Sequence, residues 1–208
     1  MKKILFPIFV NNKGGNILST ISICKNLDKN LFQITILLIG FKNKRNIYKK
    51  IIQKEKINIK YLPFDKITKV LNLNYIFSLF KFLRKNKYDI IHTNDGFLNL
   101  SFSIVRLFIK FNQILHIRNT DNSKRNYLSF LVSSKIICIS NFVYQKIPNF
   151  FNYKKTVMYN YVDQFNNDLK INKKHKKLIN KIKKKKVLLF VSNIHARKKP
   201  IVFLKILR

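Results

Sequence analysis

The sequence predicts an α/β protein, a doubly wound parallel sheet of Rossmann-like type. Two observations carry this. Compact apolar runs of strand length alternate with segments whose apolar residues recur at helical spacing, from the first residue onward. The first run, ILFPIFV over 4–10, is continuously apolar and reads as a buried strand, as expected when helices cover both faces of a sheet.

Residues 3–10 are a compact apolar run bounded by NNKGG, hence a first strand. The opening MKKILFPIFV imitates a secretory leader, but its apolar stretch is short and polar NNKGGN follows instead of a small-residue cleavage site. Ile17, Ile21, Cys24 and Leu27 mark a helix. Residues 32–39 form a second strand closed by Gly40, 44–56 a polar helix, and 57–62 a third strand stopped by Pro63. A helix over 74–86 leads to a short strand at 89–92 and an apolar helix over 97–110. Strands at 114–117, 136–139 and 155–159 alternate with short helical segments at 127–132 and 141–146.

These elements place one domain at 1–163. Residues 164–186 are very polar, end in KIKKKK, and read as a basic linker with a surface helix. Residues 187–191 then read as an eighth strand opening a second, incomplete domain over 187–208.

Composition narrows the function classes. The 43 Lys and Arg against 8 Asp and Glu give a formal charge of +35, which suits an anionic partner such as a membrane surface. Lys, Asn, Ile, Phe and Tyr are enriched together, and all have AT-rich codons, so codon drift alone would also supply the charge. A nucleic-acid partner is not expected: there is no recognition motif and no aromatic–basic interleaving on one strand. No apolar run reaches the ~18 residues of a membrane span. Cys24 and Cys138 lie in apolar segments and read as buried free thiols of a cytoplasmic protein. Metal-ligand spacing, a P-loop and a nucleophile elbow are absent, and Glu55 is the single glutamate, so neither a metal nor a paired-carboxylate site is expected.

In a doubly wound sheet ligands bind at the carboxyl ends of the strands, and four loops there carry candidates. NNKGGN holds Gly14 and Gly15 between a strand and a helix, either a tight turn or a place for close backbone approach. DIIHTNDG gathers His92, Asn94 and Asp95; His92 reads as a site residue or a core histidine, Asp95 as a site residue or a helix cap. HIRNTDN puts Arg118 at a strand end, where a guanidinium can grip a carboxylate or phosphate. SNIHARKKP sets Arg197 and Lys198 between a strand and a helix, a placement suited to a diphosphate.

Taken in order, ILFPIFVNNKGG, DIIH, HIRN, ICISNFV, VMYNYVD and VLLFVSNIHARKKP resemble the motif series of family-four glycosyltransferases of the GT-B fold, across the whole chain. The resemblance implies an acceptor-side domain followed by only the start of a donor-side domain. It implies a retaining transfer of a sugar from a sugar nucleotide, as donor substrate with no further cofactor, to a polysaccharide or lipid-linked glycan. Gly14, Gly15, His92, Asn94 and Arg118 would face the acceptor, and Arg197 and Lys198 would neutralise the donor diphosphate. The family's E-x7-E segment is not in the sequence, so a truncated or split enzyme, inactive alone, is expected. Such a chain would act with a separate donor-domain subunit, peripherally at the inner face of the membrane; the alternative is a non-catalytic acceptor-binding or membrane-docked module. Ser192 and Asn193 stand where many members have G-R or G-N, Pro200 stands near the family's glycine, and Asn94 replaces the second histidine of a His-x-His strand.

Overall fold

The computed structural model describes residues 1–10, 15–40, 49, 52–53, 55–63, 72–119, 126–160, 179–183, 185–192 and 198–206. The chain separates into two compact units, Met1–Asp163 and Gln164–Arg208.

The first unit is built on a 7-stranded, wholly parallel sheet of order β3-β2-β1-β4-β5-β6-β7. The strands are β1 (Lys2–Phe9), β2 (Phe32–Gly40), β3 (Asn58–Pro63), β4 (Ile90–Thr93), β5 (Asn112–Ile117), β6 (Lys135–Cys138) and β7 (Lys155–Val157). Strand order reverses between β1 and β4, and a crevice at the carboxyl ends is the usual consequence of such a reversal. The helices are α1 (Gly15–Asn26), α2 (Leu73–Asn86), α3 (Gly96–Arg106), α4 (Tyr127–Val132) and α5 (Asn141–Lys146), and a 3-10 turn spans Asn149–Lys154.

The apolar strand runs are explained by burial on both faces. On one face Ile4, Phe6 and Ile8 of β1 and Ile34, Ile36 and Leu38 of β2 meet Ile17, Ile21 and Cys24 of α1. On the other, Leu5, Leu37, Ile39 and Ile91 meet Tyr75, Leu79 and Leu83 of α2 and Leu98, Phe102 and Val105 of α3. A third cluster joins Leu115, Ile117, Ile136 and Cys138 to Phe130, Val143 and Phe151. Pro7 lies inside β1, where a missing N–H would break a ladder. The β1–β4 register covers only Ile4↔Ile90 and Leu5↔Ile91, so the proline falls beyond it. Gly40 ends β2 at φ 125, a backbone region closed to residues with a Cβ. Cys24 and Cys138 are free and buried.

Two expectations change. The apolar helix expected over 97–110 ends at Arg106. Its last turn tightens, with the N–H of Leu107 donating to Ile104 O at 3.2 Å and that of Phe108 to Val105 O at 3.0 Å. Leu107 and Phe108 are left 58% and 74% exposed, so the apolar run reads past the buried part of the helix. The eighth strand at 187–191 is not formed: these residues join no ladder among the described residues, and Val191 is 82% exposed. A strand needs a partner to satisfy its backbone groups, and an apolar run alone does not supply one.

In the second unit, α6 (Pro200–Ile206) forms, and Phe203 on it meets the Phe190 ring at 4.9 Å. The polar helix expected over 44–56 lies mostly outside the described residues, as does the linker except for a helical turn at 179–182. Among the described residues no helix is long and apolar enough to cross a membrane.

Candidate functional site

Three neighbouring strands carry the site. Phe6 on β1, His92 on β4 and His116 on β5 lie side by side on the face covered by α1. Phe6 and His92 have ring centroids 5.1 Å apart, and His92 and His116 stack at 5.5 Å with 17° between planes. Arg118 lies two residues beyond His116 on the same face, since side chains alternate along a strand. The column of rings therefore ends on a guanidinium at the carboxyl edge of the sheet.

Arg118 is held from three directions. NH1 donates to Asn160 Oδ1 at 2.8 Å, NH2 donates to Ser19 Oγ at 3.2 Å, and NH2 also lies 3.5 Å from His116 Nδ1. Ser19 donates to Asn160 Oδ1 at 3.4 Å, closing the ring of contacts. Ser19 comes from the second turn of α1 and Asn160 from the segment after β7. One arginine thus ties the helix after the first strand to the chain leaving the last.

Burial sets the protonation states. His92 and His116 are 8% and 3% exposed. Desolvation, with the positive charge of Arg118 beside them, holds His92 down at about 4 and His116 at about 3. Both imidazoles are neutral at pH 7. Arg118 is also pushed down by burial, though not out of its charged form. The Nε2 atoms of both histidines and Nε of Arg118 are buried and have no partner among the described residues.

The other sequence-derived candidates separate. Asn94 is buried, and its Nδ2 donates to Thr20 Oγ1, which in turn donates to Asn16 O at 2.8 Å. It pins the end of β4 to α1. Asp95 is the cap of α3, accepting the Phe97 N–H at 2.9 Å. Gly15 begins α1, and a Cβ built there would meet nothing within 4 Å. Gly14 and Arg197 lie outside the described residues, and Lys198 belongs to the second unit. Among the described residues no group of three or more His, Cys, Asp or Glu could hold a metal ion. A groove of about 730 Å³ lined by Lys2, Asp89, Arg106 and Asn112 opens at the amino ends of the strands, away from this site.

Sequence reasoning missed His116, Ser19 and Asn160. His116 was findable: it stands two residues before Arg118 on one strand, hence on one face. Ser19 and Asn160 are brought to Arg118 only by the closing of the sheet.

No family model and no curated protein matches the sequence. Solved structures do match. HepE of Anabaena, in complex with UDP and glucose, aligns with a TM-score of 0.60 at 17% identity, over 78% of this chain and 45% of its own. A glycosyltransferase from Rickettsia africae aligns at 0.59 and 19% identity, over 90% and 51%. The UDP-GlcNAc 2-epimerase of Neisseria meningitidis, bound to UDP-GlcNAc, aligns at 0.57 and 15% identity, over 76% and 47%. The chain spans about half the length of each of these structures. At these identities the likeness is one of fold: the first unit is the Rossmann-like parallel sheet with flanking helices found in GT-B glycosyltransferases.

Proposed function

We propose that this chain supplies the acceptor-side half of a family-four-type glycosyltransferase, which moves a sugar from a sugar nucleotide to a polysaccharide or lipid-linked glycan. The observation that supports this is the Arg118–Ser19–Asn160 cluster over the His92–His116 stack, placed at the carboxyl edge beside the reversal of strand order.

Each residue has a limited chemical task. Neutral imidazoles with pKa values near 4 and 3 are weak bases at pH 7, so they position and hydrogen-bond rather than carry protons. Arg118 supplies fixed positive charge where a ligand meets the edge. Asp95, three residues after His92, is occupied as a helix cap. In this reading the domain 1–163 holds the acceptor, with Gly14 and Gly15 at its first loop. Arg197 and Lys198 contribute to the donor diphosphate, together with a paired-glutamate segment on a separate donor-domain subunit. The chain alone transfers nothing, and its charge draws it to an anionic membrane at the cytoplasmic face.

Calorimetry of the purified chain with a panel of UDP- and GDP-sugars tests this division. Binding weaker than millimolar, with transfer to glycan acceptors appearing only when a donor domain is added, is the expected result. Micromolar binding by this chain alone would overturn it.

A further inference from the structure

We propose that Arg118 is the seat of an anion, so that the acceptor taken by this site carries a phosphate or carboxylate beside the hydroxyl that reacts. The inference rests on the acceptor-side reading above and adds the substrate class.

The argument begins from charge. A guanidinium moved out of water needs a compensating partner, and a buried charge left without one is costly. Arg118 is partly buried, and each of its contacts among the described residues is neutral: an amide oxygen, a hydroxyl and an uncharged imidazole. Among the described residues the ion pair present is Lys25–Glu55, far along α1 from the site. Half-buried Arg106, at the opposite edge of the sheet, shares this neutral environment, with Nη2 donating to Ser134 Oγ at 3.1 Å, whereas the two buried lysines behave differently. Lys154 Nζ donates to the carbonyls of Leu131 and Ser133, and Lys155 Nζ to those of Tyr144 and Ile147. Both lysines are thereby matched to the negative ends of α4 and α5. Arg118 has no such carbonyl set among the described residues.

Geometry selects the edge an anion would meet. Nε lies inside, whereas the NH1–Asn160 bond lies in the exposed part of the cluster. Each terminal guanidinium nitrogen carries two hydrogens. Among the described residues Nη1 uses one on Asn160 and keeps one, and the Asn160 amide adds donors of its own. A guanidinium whose plane is fixed by Ser19 and Asn160 loses little freedom on gripping a planar carboxylate or a phosphate. The stacked imidazoles beneath it, held neutral, do not compete for the anion.

The experiment uses the full chain at about 0.15 M salt, where diffuse attraction is screened beyond about 8 Å. The probes are inorganic phosphate, a hexose 1-phosphate, a hexuronate, a short-chain prenyl phosphate and a neutral hexose. Calorimetry gives affinity and stoichiometry, and ring-nitrogen NMR of His116 reports on the site itself. One-site binding of at least one anionic probe is expected, with movement of the His116 signals and little binding of the neutral hexose. Charge-assisted hydrogen bonds of this kind correspond to about tenfold or more in affinity, so Arg118→Gln should lose at least that. Arg118→Lys, which keeps the charge but not the fork, should lose part of it. Lys81→Gln removes the same charge at an exposed site on α2 and should change nothing. If Arg118→Gln does not fold, Arg118→Lys and Asn160→Ala carry the test. Preference among the anionic probes assigns the source to a sugar phosphate, a uronate or a lipid phosphate. An equal loss in Lys81→Gln, silent His116 signals, or a neutral hexose bound as tightly would overturn the proposal. Anion binding without transfer to any glycan in the presence of a donor domain would sink the transferase reading and leave this one standing. Transfer to neutral acceptors untouched by Arg118→Gln would do the reverse.

Discussion

His92 and His116 stack with ring centroids 5.5 Å apart and 17° between their planes, and neither Nε2 has a partner among the described residues. Two imidazoles in this arrangement cannot both be charged without repulsion, and Arg118 next to them makes even one charge unfavourable. The stack is therefore a neutral apolar-like support under a cation.

Its first consequence is a pH dependence. The folded-state pKa values, about 4 and about 3, lie below the ordinary 6.5, so between these limits the unfolded chain binds more protons than the folded one. Stability then falls as pH drops below 6.5 and is fully present above it. At about 1.4 kcal/mol per unit, the pair should remove roughly 3 kcal/mol or more between pH 6.5 and 4. Urea unfolding at stepped pH should show this slope in the native chain and a flatter one in His92→Gln/His116→Gln. Parallel slopes would mean that the two rings titrate normally.

A second consequence concerns Asn94 and Thr20, whose side chains are hydrogen-bonded out of water. Asn94→Ala leaves the buried Thr20 hydroxyl without its donor and should cost about 1–3 kcal/mol. Thr20→Val should cost a similar amount, and the double variant less than the sum. Strict additivity in denaturant unfolding would show that the contact is not formed.

Much of the fold was legible because the period of apolar residues reports burial directly. Residues 32–39 read as a strand because a sheet covered on both faces leaves little polar surface, and β2 is so covered; 57–62 falls on the edge strand β3, where Ile57 and Leu62 are buried and Asn58 and Tyr61 are exposed. Leu107 and Phe108 misled because an apolar residue can stand exposed at a helix end, and 187–191 misled because a strand is a pairing, not a composition. At the site, Arg118 and His92 were visible as polar residues at strand ends. Their direction was not: His92 turns its ring into a stack, and Asn94 turns inward to α1. Ser19 and Asn160 are separated by 141 residues, and no local pattern joins them.

The lysines are not interchangeable, despite their number. Lys154 is 5% exposed, with Nζ donating to Leu131 O at 3.0 Å and Ser133 O at 3.1 Å. It closes the carboxyl end of α4. Lys154→Met keeps the stem and removes the cap, leaving two carbonyls short of a donor, and should cost about 1–3 kcal/mol. Lys81→Met on the exposed face of α2 should stay within about 0.5 kcal/mol. Equal melting temperatures for the two variants would refute the distinction.

Gly15 allows stability and binding to be separated. A Cβ there meets nothing within 4 Å, and its backbone is not in the positive-φ region. Alanine removes unfolded-chain entropy and favours the helix, so Gly15→Ala should leave the fold intact and add up to about 1 kcal/mol. Among the described residues nothing in the protein's own packing requires glycine there. If an acceptor or donor approaches the backbone there, Gly15→Ala should weaken ligand binding at least severalfold while raising the melting temperature. Both are measurable on one sample, by calorimetry and thermal unfolding. A variant that is more stable and binds unchanged would show that the glycine serves only the turn, and the first loop would drop out of the site.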